Sequence, residues 1–585
     1  MINLDYQKRK NAELFKSLEN PESLFLSNCQ NYIPIYERFF ALNETNYNNI
    51  NLNHKWYISS VNEKSEYIEN LFSCRIKNIN TNKVKEKDVF FKLAPLLDPY
   101  KYLIGKYNSS EEHMFNLPNI NSTATDTNLK ILDKNNSAYV DAFYIFLTSN
   151  LLQKHDFIHG VDFYGSYLAI KKKFTINIFD DIDYLNNSDF FNKNKNLLFT
   201  VDNYEHLFQE ENKKKPILID KLSLKSNISV HSFNSDVFED IFEENDGETE
   251  LDLVDITNVN LNDINNANKE NTENNVTLKS NSTCSSRSSY TDPDSETENE
   301  DGVDDSGKES HEKSGSESCS FSTEESDSIE EERINAVIPK FPVQVIGMEN
   351  CENTFDDLIL SEDLKPEHWF SAFMQIIMIL ITYQKAFNFT HNDLHTNNIM
   401  YNETDKKFIY YCYKKKYYKV PTFGRIFKII DFGRSIYKFN GNLFCSDSFK
   451  NGGDAATQYN TEPYFNDKKP RLDPNYSFDL CRLACSIFDY LIEDINEVAD
   501  LSKCDDPVKR LIVEWCLDDK GINMLYKNNG ADRYPEFKLY KMIARCVHNH
   551  TPQAQLERPE FQAFAKFKGE VPGDVINIDN IPSYI

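Results

Sequence analysis

Glycine is scarce in this chain, 17 among 585 residues, and none occurs before Gly105. Glycine is what allows backbone amides to close over a phosphate, so a glycine-rich phosphate loop is excluded from everything before that residue. The 12 cysteines form no CxxC pair, which excludes zinc ribbons and thioredoxin-type redox pairs and suits free thiols in a reducing compartment. Cys481 and Cys485, four apart, are expected to be buried thiols on one helix face. Long apolar runs are missing as well: FMQIIMILI, Phe373 to Ile381, is about half a membrane span. The amino terminus, MINLDYQKRKNAELF, is too polar for a signal peptide, so the expectation is an intracellular soluble protein without a membrane partner. Basic charge is in deficit, with a net charge of −28, which disfavours a nucleic-acid partner because phosphate backbones repel acidic surfaces.

That charge is concentrated. From His231 to Arg333 there are 30 acidic and 6 basic residues, leaving about −4 for the remainder of the chain. Within it the run from Asn281 to Glu332 is dense in serine and acid and almost devoid of apolar residues; such a segment cannot bury enough surface to offset its ordering entropy, and about 245 to 333 is expected to be disordered. Ser322 and Ser326, set among Glu324, Glu325 and Asp327, are candidate phosphorylation sites for acid-directed kinases or in cis.

Elsewhere the patterning predicts ordered elements. WYISSV, LFSCRIKNI and DVFFKLA, between Lys55 and Leu93, read as short strands of an antiparallel sheet. SAYVDAFYIFLTSNLL, Ser137 to Leu152, has Val140, Phe143, Leu147 and Leu151 on one helical face. HGVDFYGSYLAI reads as a strand pair or a strand with a glycine turn. A long helix follows Pro366, with a core stripe at Trp369, Phe373, Ile376, Ile377 and Leu380. KIIDF, Lys428 to Phe432, reads as a strand, and Leu480, Leu483, Ala484, Ile487, Phe488 and Leu491 mark another buried helix.

The densest chemistry lies in THNDLHTNNIM, Thr390 to Met400. Asp393 and Asn398 stand five apart, the spacing at which a carboxylate faces a nucleophile while an amide oxygen reaches a metal. Thirty-three residues beyond Asn398, Asp431 stands beside a glycine hinge, Gly433. HNDLHTNN resembles the catalytic loop of protein kinases, and Asp431, Phe432 and Gly433 resemble their magnesium-binding DFG. SFDLCRLACSIFDYL resembles the helix beneath that loop, with Asp479 matching the aspartate that holds its backbone, and RPEF at Arg558 resembles the RP-x-F near the kinase C-terminus. The match is strongest from Pro342 to Leu491, and the chain as a whole resembles kinase-like proteins of nucleocytoplasmic large DNA viruses.

The resemblance implies an α+β, bilobal protein-kinase-like fold: a small antiparallel β-sheet lobe, a larger helical lobe and a long disordered acidic insertion. Its divisions would be an amino-terminal extension (1–54), the first part of the small lobe (55–230), the insertion (231–335), the last strand and hinge (336–352), the helical lobe (353–570) and a C-terminal tail (571–585). It implies ATP- and Mg2+-dependent phosphoryl transfer to a protein hydroxyl. Asp393 would be the base and His391 would brace the loop, with His395 where many serine/threonine kinases have lysine. Asn398 and Asp431 would hold Mg2+, and the backbone of Glu349 and Cys351 would meet the adenine edge. Lys92 would hold the phosphates with Asp141 in place of the usual glutamate, and Lys171, in GVDFYGSYLAIK, is set aside because it lies too close to Gly165. Asn392 replaces the arginine that pairs with a phosphorylated activation segment, so activation of that kind is not expected. The missing glycine loop, expected in the hairpin NEKSEYIEN, keeps a pseudokinase binding module as an alternative. A small-molecule phosphotransferase is a second, although the 45 residues from Gly433 to Phe478 suit a protein-kinase activation segment better. Nothing in the sequence speaks to oligomeric state.

Overall fold

Buried and exposed positions alternate along Leu71–Asn78, while Asn335–Glu349 is buried at every position from Phe341 to Met348. Those two patterns belong to a flanking and a central strand of one sheet. The computed structural model describes residues 2–107, 113–204, 333–498, 500–527, 530–535, 537–567 and 573–585. The disorder expected of the acidic segment, and Ser322 and Ser326 with it, lie outside the described residues.

Among the described residues the fold is mixed α+β, with a seven-stranded antiparallel sheet. The strand order is Leu26–Gln30, Phe163–Asn177, Asn335–Glu349, Val84–Pro95, Leu71–Asn78, Trp56–Lys64, and the short Thr200–Val201 pairs with Asn335–Glu349. The three strands expected between Lys55 and Leu93 are present in that order. HGVDFYGSYLAI instead contributes to a single 15-residue strand, Phe163–Asn177, with a register shift at Phe163/Gly165 and Gly165 at φ 147° in place of a turn.

The segment before Trp56 is joined to the fold. Leu26–Gln30 extends the sheet, and the Phe39 ring stacks on Phe143 at 4.9 Å and on Phe444 at 5.8 Å. At the other end, Val575–Asn577 pairs in parallel with Phe408–Tyr413, and the Tyr584 N–H donates to the Ala386 carbonyl at 2.8 Å.

Against the sheet packs the helix Ser137–His155, buried continuously from Ala138 to Leu151. Pro366–Phe387 is buried on nearly all sides, not along one stripe, and its most apolar window is 94% buried. A helix apolar all round belongs in a core or a membrane, and burial here satisfies the first. A further helix, Phe478–Leu491, is buried from Phe478 to Phe488 and packs on Pro507–Trp515. The expected strand at KIIDF ends earlier, as Arg425–Ile429, because Asp431 takes left-handed backbone at φ 60°.

Candidate functional site

The loop from Thr390 to Asn398 is shaped by what bounds it. Pro366–Phe387 ends on Asn388 in the left-handed conformation, φ 51°, a residue type that tolerates such a C-cap. Thr390 then exchanges backbone hydrogen bonds with Ile436 at 2.9 and 3.0 Å. Below, the two oxygens of the buried Asp479 carboxylate accept the His391 and Asn392 N–H groups, each at 2.9 Å. A carboxylate taking two amides is a charge-assisted anchor and explains why this acid can sit wholly inside the core.

His391 braces the loop through both ring nitrogens. Its Nδ1 accepts the Asp393 N–H at 3.3 Å and its Nε2 lies 2.9 Å from the Ile430 carbonyl. Since one partner can only donate and the other only accept, these contacts assign the neutral tautomer protonated at Nε2. Asn392, at φ 65°, gives its amide to the carbonyls of Thr390 and Arg434 and accepts the Tyr459 hydroxyl at 2.8 Å. Asparagine enters left-handed backbone at small cost, and here it ties the loop to the segment after Gly433 without any cation.

Asn398 turns its amide nitrogen inward, to the Asp393 carbonyl at 2.9 Å and to His395 Nε2 at 3.1 Å, so its side-chain oxygen is the atom left for a ligand. Because His395 Nε2 accepts there, its proton resides on Nδ1, which is buried without a hydrogen-bond partner. Burial, first of all, lowers the His395 pKa to about 4, with Arg482 adding to the effect against Asp393, so the ring is neutral at pH 7.

Lys92, on Val84–Pro95, joins two distant parts of the chain. Its Nζ lies 2.6 Å from Asp141 Oδ2 and 3.0 Å from Asp431 Oδ1, residues 49 and 339 positions away. The other Asp141 oxygen accepts the Phe432 N–H at 2.8 Å. An aspartate one methylene shorter than glutamate therefore still spans the gap. The Phe432 ring lies 4.6 Å from Tyr144 on the same helix and 5.7 Å from His391. Burial opposes the charge on Lys92, but the two carboxylates outweigh it and raise the pKa, while Lys92 pulls Asp431 down. The left-handed residue of this turn is Asp431, not Gly433, where a Cβ would meet Asp431 Oδ1 at 3.4 Å.

Asp393 has partners that its local sequence did not announce. The Tyr540 hydroxyl, from the helix Phe537–Cys546, donates to Oδ1 at 2.7 Å, and Arg434 Nη1 lies 3.5 Å from Oδ2. Burial would raise this carboxyl, but Arg434, His395, Arg482 and the Tyr540 hydroxyl together bring it down to about 2. Arg434 follows Asp431-Phe432-Gly433 directly and could have been flagged from that position. No signal in the sequence linked Tyr540 to a residue 147 positions earlier.

The segment after Asn335–Glu349 differs from a bare hinge. The Glu349 N–H donates to the Asp162 carbonyl at 2.9 Å, and its carboxylate binds Lys428 at 3.1 Å and Asn402 at 2.7 Å. Cys351 is buried, and burial with the Glu349 charge pushes its thiol up to about 12. In the hairpin between Trp56–Lys64 and Leu71–Asn78, Ser65 Oγ accepts the N–H groups of Tyr67 and Ile68 at 3.3 and 3.2 Å, and Asn70 supplies the left-handed residue at φ 61°. Lys171 binds the Leu24 carbonyl at 2.9 Å.

The fold thus brings together Lys92, Asp141, Asp431, Phe432 and His391 in one contact network, and Asp393, His395, Asn398 and Asp479 in the loop beside it. The Ile430 N–H bonded to the Asn398 carbonyl at 3.0 Å joins the two. Glu349 ends the central strand and Cys351 follows it. Arg558 pairs with Glu514. Among the described residues no group of three His, Cys, Asp or Glu side chains is arranged to hold a metal ion. No protein-family model matches the chain, and no curated protein matches it.

Proposed function

We propose that this protein is an ATP- and Mg2+-dependent phosphotransferase of protein-kinase-like, bilobal architecture that acts on protein hydroxyls. The observation that carries the reading is the Lys92 ammonium bridging Asp141 and Asp431 at 2.6 and 3.0 Å, next to a loop that holds Asp393 and Asn398. A lysine shared between a helix carboxylate and a second, metal-directed carboxylate is the arrangement protein kinases use on the donor side of phosphoryl transfer. The strand order of the sheet, the Asp479 anchor under the loop and the His391 bridge to Ile430 support the same reading.

The residues fit the cofactor on three counts. Asn398 presents its oxygen after committing its nitrogen, and Asp431 has a carboxylate oxygen beyond the one bound to Lys92. Mg2+ needs only one or two protein oxygens alongside phosphate, which is why no larger cluster is called for. His395 Nδ1 is a buried donor without an acceptor, a place for an anionic oxygen. Bound Mg·ATP would supply the phosphoryl group and neutralise its charge; Asp393 would accept the hydroxyl proton of the acceptor.

Incorporation of label from γ-labelled ATP, compared between wild type and Asp393→Asn, tests the reading. Loss of incorporation in a variant that still unfolds cooperatively is the expected result, and equal incorporation refutes the role of Asp393. One observation favours a second reading, a pseudokinase: Ser65 occupies two amides of the hairpin that would otherwise cover phosphates. A melting temperature that does not move with Mg·ATP would favour it, since a ligand of the folded state raises that temperature.

A further inference from the structure

The hydroxyl of Tyr540 stands where the phosphotransferase reading requires the hydroxyl of an acceptor. It donates to Asp393 Oδ1 at 2.7 Å, and the ring is held in place by Phe537, parallel to it at 5.1 Å and 7°. Two guanidinium groups flank the same ring: Arg482 lies 5.0 Å and Arg434 5.7 Å from its centroid. We propose that Tyr540 is an intramolecular phosphoacceptor, modified in cis by the site it occupies. This rests on the phosphotransferase reading and specifies a substrate of it.

In the proposed step the Tyr540 Oη–phosphorus bond forms as the bond from the γ-phosphorus to the bridging oxygen of ATP breaks. Asp393 takes the phenolic proton, and ADP leaves with the electron pair. Arginine is the side chain best matched to a phosphate, through paired N–H donors. Arg434 and Arg482 are therefore positioned to receive the product. A phosphate carrying about −1.5 to −2 charges cannot remain in hydrogen-bond contact with the Asp393 carboxylate. Modification therefore removes Tyr540 from the base and leaves Asp393 open to an external hydroxyl.

The test has an unloaded and a loaded arm, both on the full chain after phosphatase treatment. Without nucleotide, the Asp393 carboxylate engages the Tyr540 hydroxyl, so tetranitromethane should nitrate Tyr540 faster in Asp393→Asn than in wild type. Equal nitration in the two proteins would refute the contact. With Mg·ATP, peptide mass spectrometry should find phosphate on Tyr540, appearing at a first-order rate that does not change when the protein is diluted tenfold, and absent in Asp393→Asn. Dephosphorylated casein supplied in the same reaction separates the outcomes. Phosphate on casein with Tyr540 unmodified overturns the proposal while the phosphotransferase reading stands, and a rate that scales with protein concentration overturns modification in cis. Absence of phosphate from both, with no thermal shift from Mg·ATP, overturns the reading and the proposal together.

Discussion

Replacing Lys428 by methionine isolates a buried charge and tests the packing that connects the central strand with the approach to Asp431. The Lys428 ammonium donates to the Ile158 and Gly160 carbonyls at 3.0 and 2.7 Å and to the Glu349 carboxylate at 3.1 Å. Side-chain exposure is only 4% for the lysine and 13% for the glutamate, so neither charge can be rescued by water. Removing one member of a buried pair costs about 3–5 kcal/mol, chiefly because the other charge is stranded. Glu349 would keep the Asn402 amide at 2.7 Å and the Asp162 N–H at 3.0 Å, which places the cost at the lower end, about 3 kcal/mol. At about 2–4 °C per kcal/mol for a sizeable domain, Lys428→Met should melt about 6–12 °C below wild type. The double variant Lys428→Met/Glu349→Gln removes the stranded charge and should recover at least half of that loss, a coupling of about 1.5 kcal/mol or more in a double-mutant cycle. Thermal unfolding followed by near-ultraviolet circular dichroism reads both. A single variant melting with wild type, or a double variant no more stable than the single, would refute the claim that the Glu349 charge depends on Lys428.

Three further outcomes follow from the same geometry. Asp479→Asn cannot accept both the His391 and Asn392 N–H groups, because one amide position becomes a donor; urea unfolding should show a loss of about 1.5–3 kcal/mol, and phosphate incorporation should fall with it. Asp447 accepts the Ser137 N–H at 2.9 Å at the start of the Ser137–His155 helix and pairs with Lys130, so Asp447→Asn should cost about 1 kcal/mol and speed hydrogen exchange in that helix's first turn. His54 and His159 are buried, and burial lowers each pKa from 6.5 to about 3, so the unfolded chain binds more protons than the folded one below pH 6.5. Stability should therefore fall as pH drops from 6.5 towards 3, by about 1.4 kcal/mol per histidine per unit well below 6.5; unfolding curves at pH 7.5 and 5 that coincide would contradict this.

The elements were largely legible where a pattern repeats within a few residues. Val140, Phe143, Leu147 and Leu151 announced a helix that runs from Ser137 to His155, and the alternation in LFSCRIKNI announced the strand Leu71–Asn78. Lys92 and Asp141 were singled out from sequence, and the fold does join them. Legibility failed where a contact has no local trace. Leu26–Gln30 looks no different from a loop until Phe163–Asn177 offers it an edge. HGVDFYGSYLAI reads from sequence as a strand pair or a strand with a glycine turn, whereas the sheet absorbs Gly165 as a register shift within one strand. Ser65, whose hydroxyl takes two amides of the hairpin, is a common residue in a polar stretch.

What the sequence alone determined is the set of periodic segments and the short loops whose members lie within a turn of one another, because burial pattern and backbone preference act over neighbouring residues. The spacing of Asp393 and Asn398 belongs to that set. Tertiary structure alone decided which charges meet: Lys92 with Asp431 across 339 positions, and Tyr540 with Asp393 across 147. Such pairings depend on how the helices and the sheet pack. Electrostatic attraction and hydrogen bonding select partners by distance in space, and the order of residues along the chain carries no measure of that distance.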